Sequence, residues 1–139
     1  MSQQETEAAA LTVMRGGDET ILLVEDDAHL RASMCKSLVR LGYRVLEAVD
    51  RVEAVEVWKQ HRDQIHLLLT DLVMPGEING MELAEGFLKE NPKLKVIYAS
   101  GYSTGVADKD YRLKEGINYL SKPFETHKLA QTIRNILDQ

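Results

Sequence analysis

Short apolar runs alternate with amphipathic segments along most of the chain. From Thr20 onward, five runs have the length and composition of buried strands, and the apolar residues between them recur every three or four positions, as in helices. The five runs are TILLVE (20–25), YRVLEA (43–48), IHLLLT (65–70), LKVIYAS (94–100) and INYL (117–120). Strands separated by single helices predict an α/β fold, a parallel sheet covered by helices on both faces.

Local capping signals set the bounds of several predicted helices. Asp27 precedes an apolar-periodic segment and can cap a helix at its N-terminus. Asp50 and Glu53 have the spacing of a capping box at the start of the next helix. The predicted helices cover 28–41, 51–61, 79–90 and 126–137, with a weaker one over 104–115 that is sparse in apolar residues.

The first 18 residues differ from the rest of the chain. They are small and polar and end in a Gly-Gly-Asp sequence, which is typical of a flexible N-terminal arm or a linker. We therefore expect residues 1–18 to be such an arm and residues 19–139 to form a single folded domain.

Bulk composition excludes several classes of partner. The net charge of −5 argues against nucleic-acid binding through a basic face. No apolar stretch approaches the ~20 residues of a membrane-spanning helix, so no direct membrane contact is expected. The single cysteine, Cys35, cannot form an internal disulfide, and the N-terminus lacks the pattern of a secretory signal. Both features favour a cytoplasmic location.

Acidic, hydroxyl and amino side chains follow the predicted strands. Ligands of open parallel sheets bind at the carboxyl ends of the strands, so these side chains are the ones expected to share a site. They are Glu25, Asp26 and Asp27 at the first strand, Asp71 after the third, Ser100 after the fourth and Lys122 after the fifth.

This set of side chains indicates phosphoryl chemistry. Clustered carboxylates raise one another's pKa values unless a cation lies among them, and carboxylate oxygens suit Mg²⁺. A lysine and a hydroxyl nearby can hold a phosphoryl group, which a carboxylate can accept as a nucleophile. Asp71 is the candidate acceptor, because it follows a buried strand directly. The alternative is that Asp71 only caps the turn at the strand end.

Four motifs carry a family resemblance: ILLVEDD, LLLTDLVMPG, YASGY and YLSKPF. In this order and spacing they resemble the receiver domain of bacterial two-component response regulators over residues 20–138. The resemblance implies a flavodoxin-like (βα)5 fold with strand order 2-1-3-4-5. It also implies a signalling domain rather than an enzyme, which takes a phosphoryl group from a histidine kinase or a histidine phosphotransfer domain onto Asp71.

The resemblance also implies a metal site. Counting back from the end of the first helix identifies Glu25 and Asp26 as the family's acidic pair, which leaves Asp27 as the helix cap. By analogy Asp26 and Asp71 ligate Mg²⁺ directly, Glu25 acts through water, and the Val73 carbonyl completes the protein ligands.

The remaining family positions concern switching. Ser100 takes the place of the family's switch hydroxyl, Lys122 that of its lysine, and Tyr119 that of its switch aromatic; Lys122-Pro123 corresponds to a cis peptide. The implied readout face is made by the helix over 104–115, the fifth strand and the last helix, and homodimerisation on phosphorylation is a further expectation.

One loop departs from the common family pattern. MPGEING has one extra residue before its last glycine, a form that resembles receivers attached to hybrid histidine kinases.

Other functions compete with this interpretation. The main alternative is an aspartyl-phosphate phosphatase of haloacid-dehalogenase type. Its nucleophile would end the first strand within D-x-D, whereas the acids here are contiguous in VEDD. A nucleotide-binding module ranks lower, since no glycine-rich phosphate loop is present.

Overall fold

The computed structural model describes residues 15–73, 80–101 and 113–139 and contains one five-stranded parallel sheet. The strands are β1 (Thr20–Val24), β2 (Arg44–Ala48), β3 (Leu67–Asp71), β4 (Lys95–Gly101) and β5 (Tyr119–Lys122). The helices in these ranges are α1 (Ala28–Arg40), α2 (Arg51–His61), α3 (Gly80–Glu90) and α4 (Thr126–Leu137). The strand order β2-β1-β3-β4-β5 and the parallel pairing confirm the predicted fold. Among the described helices, none is both long and apolar enough to cross a bilayer.

Two apolar layers enclose the sheet. On one face, α1 and α4 contribute Leu38 and Ile133 to a buried cluster. On the other, α2 and α3 contribute Trp58 and Phe87, whose rings stack with centroids 4.3 Å apart. Every residue of β1 and β3 is buried, because both strands are central and covered on both sides. The ends of these two strands are therefore fixed firmly in space.

Helix caps form as the local sequence predicts. The Asp27 carboxylate accepts a hydrogen bond from the Leu30 amide at 3.0 Å, and Asp50 accepts one from the Glu53 amide at 2.9 Å. Glu53 in turn accepts from the Val49 amide at 3.2 Å. Because Asp27 is used as a cap, the two acids before it are the ones that remain for a site.

The fifth strand begins two residues later than the apolar pattern predicts. Ile117 is half exposed and belongs to a turn in which Gly116 has a φ of 78°. The strand instead extends through Ser121 and Lys122, which pair with Ser100 and Gly101 of β4. Apolar content alone misplaced this strand, because its last two residues are polar. Most of the helix predicted over 104–115 lies outside the described residues.

The segment that leads into β1 packs against the C-terminal ends of α1 and α4. The Gly17 amide donates to the Leu41 carbonyl at 3.1 Å. The Arg134 guanidinium donates to the Gly16 carbonyl at 3.3 Å and to both carboxylate oxygens of Glu19 at 2.8 and 3.0 Å. We call these five residues the N-terminal junction. Residues 1–14 lie outside the described ranges, so the flexible arm and the domain boundary after residue 18 remain predictions.

Close contacts surround both glycines of the N-terminal junction, and those of Gly16 are with rigid backbone. A Cβ atom on Gly16 would lie 1.8 Å from the Leu41 carbonyl oxygen, and one on Gly17 would lie 2.3 Å from an Arg134 guanidinium nitrogen. By contrast, a Cβ on Gly86 in α3 meets nothing within 4 Å. The chain therefore offers a matched pair of glycines, one confined and one free.

We expect Gly16→Ala to lower the free energy of unfolding by at least ~1 kcal/mol, because its Cβ would overlap the Leu41 carbonyl, which accepts the hydrogen bond from the Gly17 amide. Gly86→Ala should leave stability unchanged or raise it by up to ~1 kcal/mol, since alanine favours a helix interior. Urea unfolding of both variants and the wild type measures the difference. Equal stability of the two variants would contradict the close packing of the junction.

Candidate functional site

The carboxyl edge of the sheet brings together the acids and the lysine that the sequence places after separate strands. Glu25 follows β1, Asp71 ends β3 and Lys122 ends β5. Glu25 is also tied to β2, because its amide donates to the Ala48 carbonyl at 3.0 Å. Strand pairing in the sheet therefore sets the relative positions of these side chains.

Lys122 bridges the two buried carboxylates. Its ammonium group donates to Glu25 Oε1 at 2.6 Å and also to Asp71 Oδ1. Glu25 is only 2% exposed and Asp71 only 5%. Carboxylates buried this deeply are costly unless they are paired and hydrogen-bonded, and one lysine here serves two of them.

The pKa values of the two buried acids are shifted in opposite directions. Burial, together with the facing Glu25 carboxyl, raises the pKa of Asp71 to about 8. Burial also opposes ionisation of Glu25, but hydrogen bonds from Asp71, Lys122 and the Asp27 amide hold its pKa below the usual value. Burial likewise disfavours the ammonium of Lys122, and its bonds to both acids outweigh this and raise its pKa. Asp71 is thus the acid that most needs a further positive charge to ionise.

The donor set fits a divalent cation. Glu25, Asp26 and Asp71 each offer a carboxylate oxygen, and these oxygens lie within 4.8 Å of one another. Asp26 is exposed at the rim, whereas the other two are buried. When all three carboxylates are ionised, their charge exceeds that of the single lysine by two, and hard oxygen donors of this kind suit Mg²⁺. Val73 lies two residues beyond Asp71 on the exposed surface.

The start of α3 lies directly against the end of β3. A Cβ atom on Gly80 would lie 2.2 Å from the Asp71 carbonyl oxygen, and the Gly80 amide donates to the Leu72 carbonyl at 2.8 Å. Only glycine allows this approach. Its absent side chain therefore helps to fix the backbone on either side of the loop that follows Asp71.

Ser100 lies on β4, the strand next to Asp71, and it contacts Tyr119 of β5. The Ser100 hydroxyl and the Tyr119 hydroxyl are 2.6 Å apart, and both residues are buried. The sequence suggested a switch role for each of the two residues. The structure shows that their hydroxyl groups form one hydrogen-bonded pair at the edge of the site.

Sequence reasoning did not single out Arg31, although its guanidinium donates to the Glu25 carbonyl at 2.8 Å. The signal available in the sequence was a basic residue in the first turn of the helix that follows the acids.

The Lys122-Pro123 peptide is cis, as the resemblance implied.

Comparison with known proteins points to a single protein family. The sequence profile of the response regulator receiver domain matches residues 21–134. The sensor kinase CckA of Brucella abortus is 32% identical over 88% of this chain, and the response regulator receiver protein CpdR of that organism is 34% identical over 84% of it. The chain spans 13% of the length of CckA and 95% of that of CpdR.

Solved structures agree with the sequence comparison. The receiver domain of the hybrid histidine kinase CckA superposes with a TM-score of 0.70 at 32% identity, over 85% of this chain and 98% of that one. A receiver domain protein from Clostridium thermocellum gives a TM-score of 0.75 at 24% identity, over 86% of this chain and 94% of that one. The second likeness concerns the fold alone.

We expect Asp71→Asn to stabilise the protein in metal-free buffer, because it removes one of two facing buried carboxylates and keeps an oxygen for Lys122. The folded-state pKa of Asp71 lies above its unfolded value, so the wild type loses stability as the pH rises from about 4 through 8. The advantage of the variant should therefore grow between pH 5 and pH 8 and reach at least ~1 kcal/mol, the equivalent of one pKa unit.

Urea unfolding in EDTA at the two pH values measures this difference. Asp63→Asn, at an exposed acid, is the control and should show no such trend. A variant at Asp71 that is less stable than the wild type at pH 8 would mean that the carboxylates do not repel each other.

Proposed function

The chain belongs to the response regulator receiver domain family, and on that basis we propose that it is a phosphoacceptor in two-component signal transduction. It takes a phosphoryl group from the phosphohistidine of a histidine kinase, or of a histidine phosphotransfer domain, onto Asp71. The observation that carries this proposal is the Asp71 carboxylate at the end of a central strand, bound to Lys122 and grouped with two further acids. We further propose that this reaction takes place in the cytoplasm.

Each side chain has a defined task in the transfer. A carboxylate oxygen of Asp71 attacks phosphorus, the phosphorus–nitrogen bond to the donor histidine breaks, and the electron pair stays on the imidazole nitrogen, which then takes up a proton. Glu25, Asp26, Asp71 and the Val73 carbonyl would hold Mg²⁺, with Glu25 acting through water. When bound, that ion supplies positive charge to the carboxylates and the phosphoryl oxygens.

Lys122 can serve both the resting and the phosphorylated site. Its ammonium group has three N–H donors, and two of them already point to Glu25 and Asp71. It can therefore keep its bond to Glu25 while donating to a phosphoryl oxygen on Asp71. This arrangement favours the ionised, nucleophilic form of Asp71 before transfer and neutralises part of the added charge afterwards.

The signal leaves the site through the Ser100–Tyr119 pair. Ser100 has a single O–H donor, and if it donates to a phosphoryl oxygen its own oxygen can still accept from the Tyr119 hydroxyl. The phosphoryl group would then set the direction of these hydrogen bonds, with Tyr119 donating to Ser100, and keep the Tyr119 side chain buried. The readout face consists of β5, α4 and the segment over 104–115, and phosphorylation shifts its population of conformations.

A phosphatase of haloacid-dehalogenase type remains the alternative function. Its nucleophile would belong to the first-strand acids, of which Asp26 is exposed and Glu25 is bound to Lys122. The two functions differ in where the phosphoryl group attaches and in whether it turns over. Identification of the modified residue therefore separates them.

With Mg²⁺ and acetyl phosphate, the wild type should gain one phosphoryl group, and Asp71→Asn should gain none. EDTA should abolish the gain, because nothing then offsets the excess negative charge of the site. Intact-mass spectrometry measures the modification, and peptide mapping locates it. A phosphoryl group on Asp26, or equal labelling of Asp71→Asn, would contradict the assignment of the acceptor.

Ser100→Ala should still accept phosphoryl on Asp71 but should lose the response of the readout face. The amide NMR shifts of residues 113–122, with and without beryllium fluoride as a phosphoryl mimic, measure that response. Ser121→Ala is the control, since Ser121 bonds to Glu115 and not to the acidic cluster. The same large shifts in wild type and Ser100→Ala would exclude Ser100 as the coupling residue.

A further inference from the structure

The turn that carries Glu25 and Asp26 is held from several directions. The Glu25 amide donates to β2, and the Glu25 carboxylate accepts from the Asp27 amide at 3.1 Å. The remaining backbone group, the Glu25 carbonyl, accepts a 2.8 Å hydrogen bond from the guanidinium of Arg31. A bond from a charged donor of this kind is stronger than one between neutral groups.

Arg31 is held in this position on both sides. It lies in the first turn of α1, and its Nε atom is 3.5 Å from Glu47 Oε1 on β2. Its side chain is only 19% exposed, whereas that of Arg40 at the other end of the same helix is exposed. Ordering a long side chain costs conformational entropy. The contacts of Arg31 with Glu25 and Glu47 offset this cost, whereas the side chain of Arg40 is exposed to solvent.

The carbonyl that Arg31 binds is one end of a rigid unit. The Glu25 carbonyl and the Asp26 amide belong to the same planar peptide group. A hydrogen bond that fixes this carbonyl therefore also fixes the orientation of the peptide plane that contains the Asp26 amide. Asp26 is the exposed member of the acidic cluster, so its carboxylate has less packing around it than those of Glu25 and Asp71.

We infer that Arg31 is a positioning residue for the acidic cluster: through the Glu25–Asp26 peptide it holds the Asp26 carboxylate toward that of Asp71. The inference rests on the proposed function in one respect, that the cluster binds Mg²⁺. Arg31 is not among the residues proposed to hold the ion or to accept the phosphoryl group. It acts as an outer-shell partner, and loss of such partners typically weakens metal binding about 10- to 100-fold.

The sign of the effect distinguishes positioning from simple electrostatics. Arg31→Gln removes a positive charge that is bound to the turn carrying Glu25 and Asp26, which by Coulomb's law should make Mg²⁺ bind more tightly. Loss of positioning should make it bind more weakly. We expect the second effect to dominate, with a roughly 10-fold higher Kd for Mg²⁺. Arg31→Lys keeps a charged donor and should recover part of the affinity.

The experiment is an Mg²⁺ titration followed by the amide NMR signals of Asp26 and Asp71 in the folded protein. Arg40→Gln on the same helix is the control for charge removal and should leave the Kd within about twofold of the wild type. Glu47→Gln tests the second contact and should weaken binding less than Arg31→Gln. An unchanged or lower Kd in Arg31→Gln would overturn the inference.

A metal-free comparison keeps the inference separate from the proposed function. In EDTA, Arg31→Gln should shift the Asp26 amide signal and speed its hydrogen exchange, while the amides of α3 stay unchanged. Identical Asp26 signals in wild type and variant would overturn the positioning role even if Mg²⁺ binds. If the wild type shows no Mg²⁺ binding and no labelling of Asp71, the proposed function fails, and the metal-free result alone decides the role of Arg31.

Discussion

The bridge from Lys122 to two buried carboxylates is the interaction on which the rest of the site depends. It joins the ends of β1, β3 and β5, so three strands that are distant in sequence share one electrostatic unit. One ammonium group cannot neutralise the whole acidic cluster when all of its carboxylates are ionised, and the remaining negative charge would favour the binding of a cation. Burial and the facing Glu25 carboxyl together raise the pKa of Asp71 to about 8, although Lys122 acts in the opposite direction.

The fold holds the acidic side chains close together despite their mutual repulsion. Central strands with every residue buried hold Glu25 and Asp71 in place, and the helices on both faces exclude water from below the site. Gly80 lets α3 start against the carbonyl of Asp71. An electrostatically strained site of this kind persists only where the surrounding packing leaves the side chains no cheaper arrangement.

Local rules in the sequence were enough for most of the fold and for the main site residues. Asp27 could be recognised as a cap, and strand ends located the acids and Lys122, because both depend on short-range patterns. The start of β5 could not be placed, since Ile117 lies in a turn and polar Ser121 completes the strand. Arg31 escaped notice for another reason: its partner is a backbone carbonyl, which no residue type reveals. Gly16 and Gly17 suggested flexibility, yet these glycines permit close packing, and the sequence does not distinguish the two uses.

The N-terminal junction also brings the segment before β1 close to the end of α4. Arg15 pairs with Asp138 at 3.2 Å, and Asp138 pairs with Arg134, so the segment before β1 and the end of α4 lie close together, away from the carboxyl edge of the sheet. A domain built this way can be inserted into a surface loop of another protein without stretching either connection. It should also tolerate circular permutation, with a few residues joining the old ends and new ends opened in an exposed turn such as that around Asp63.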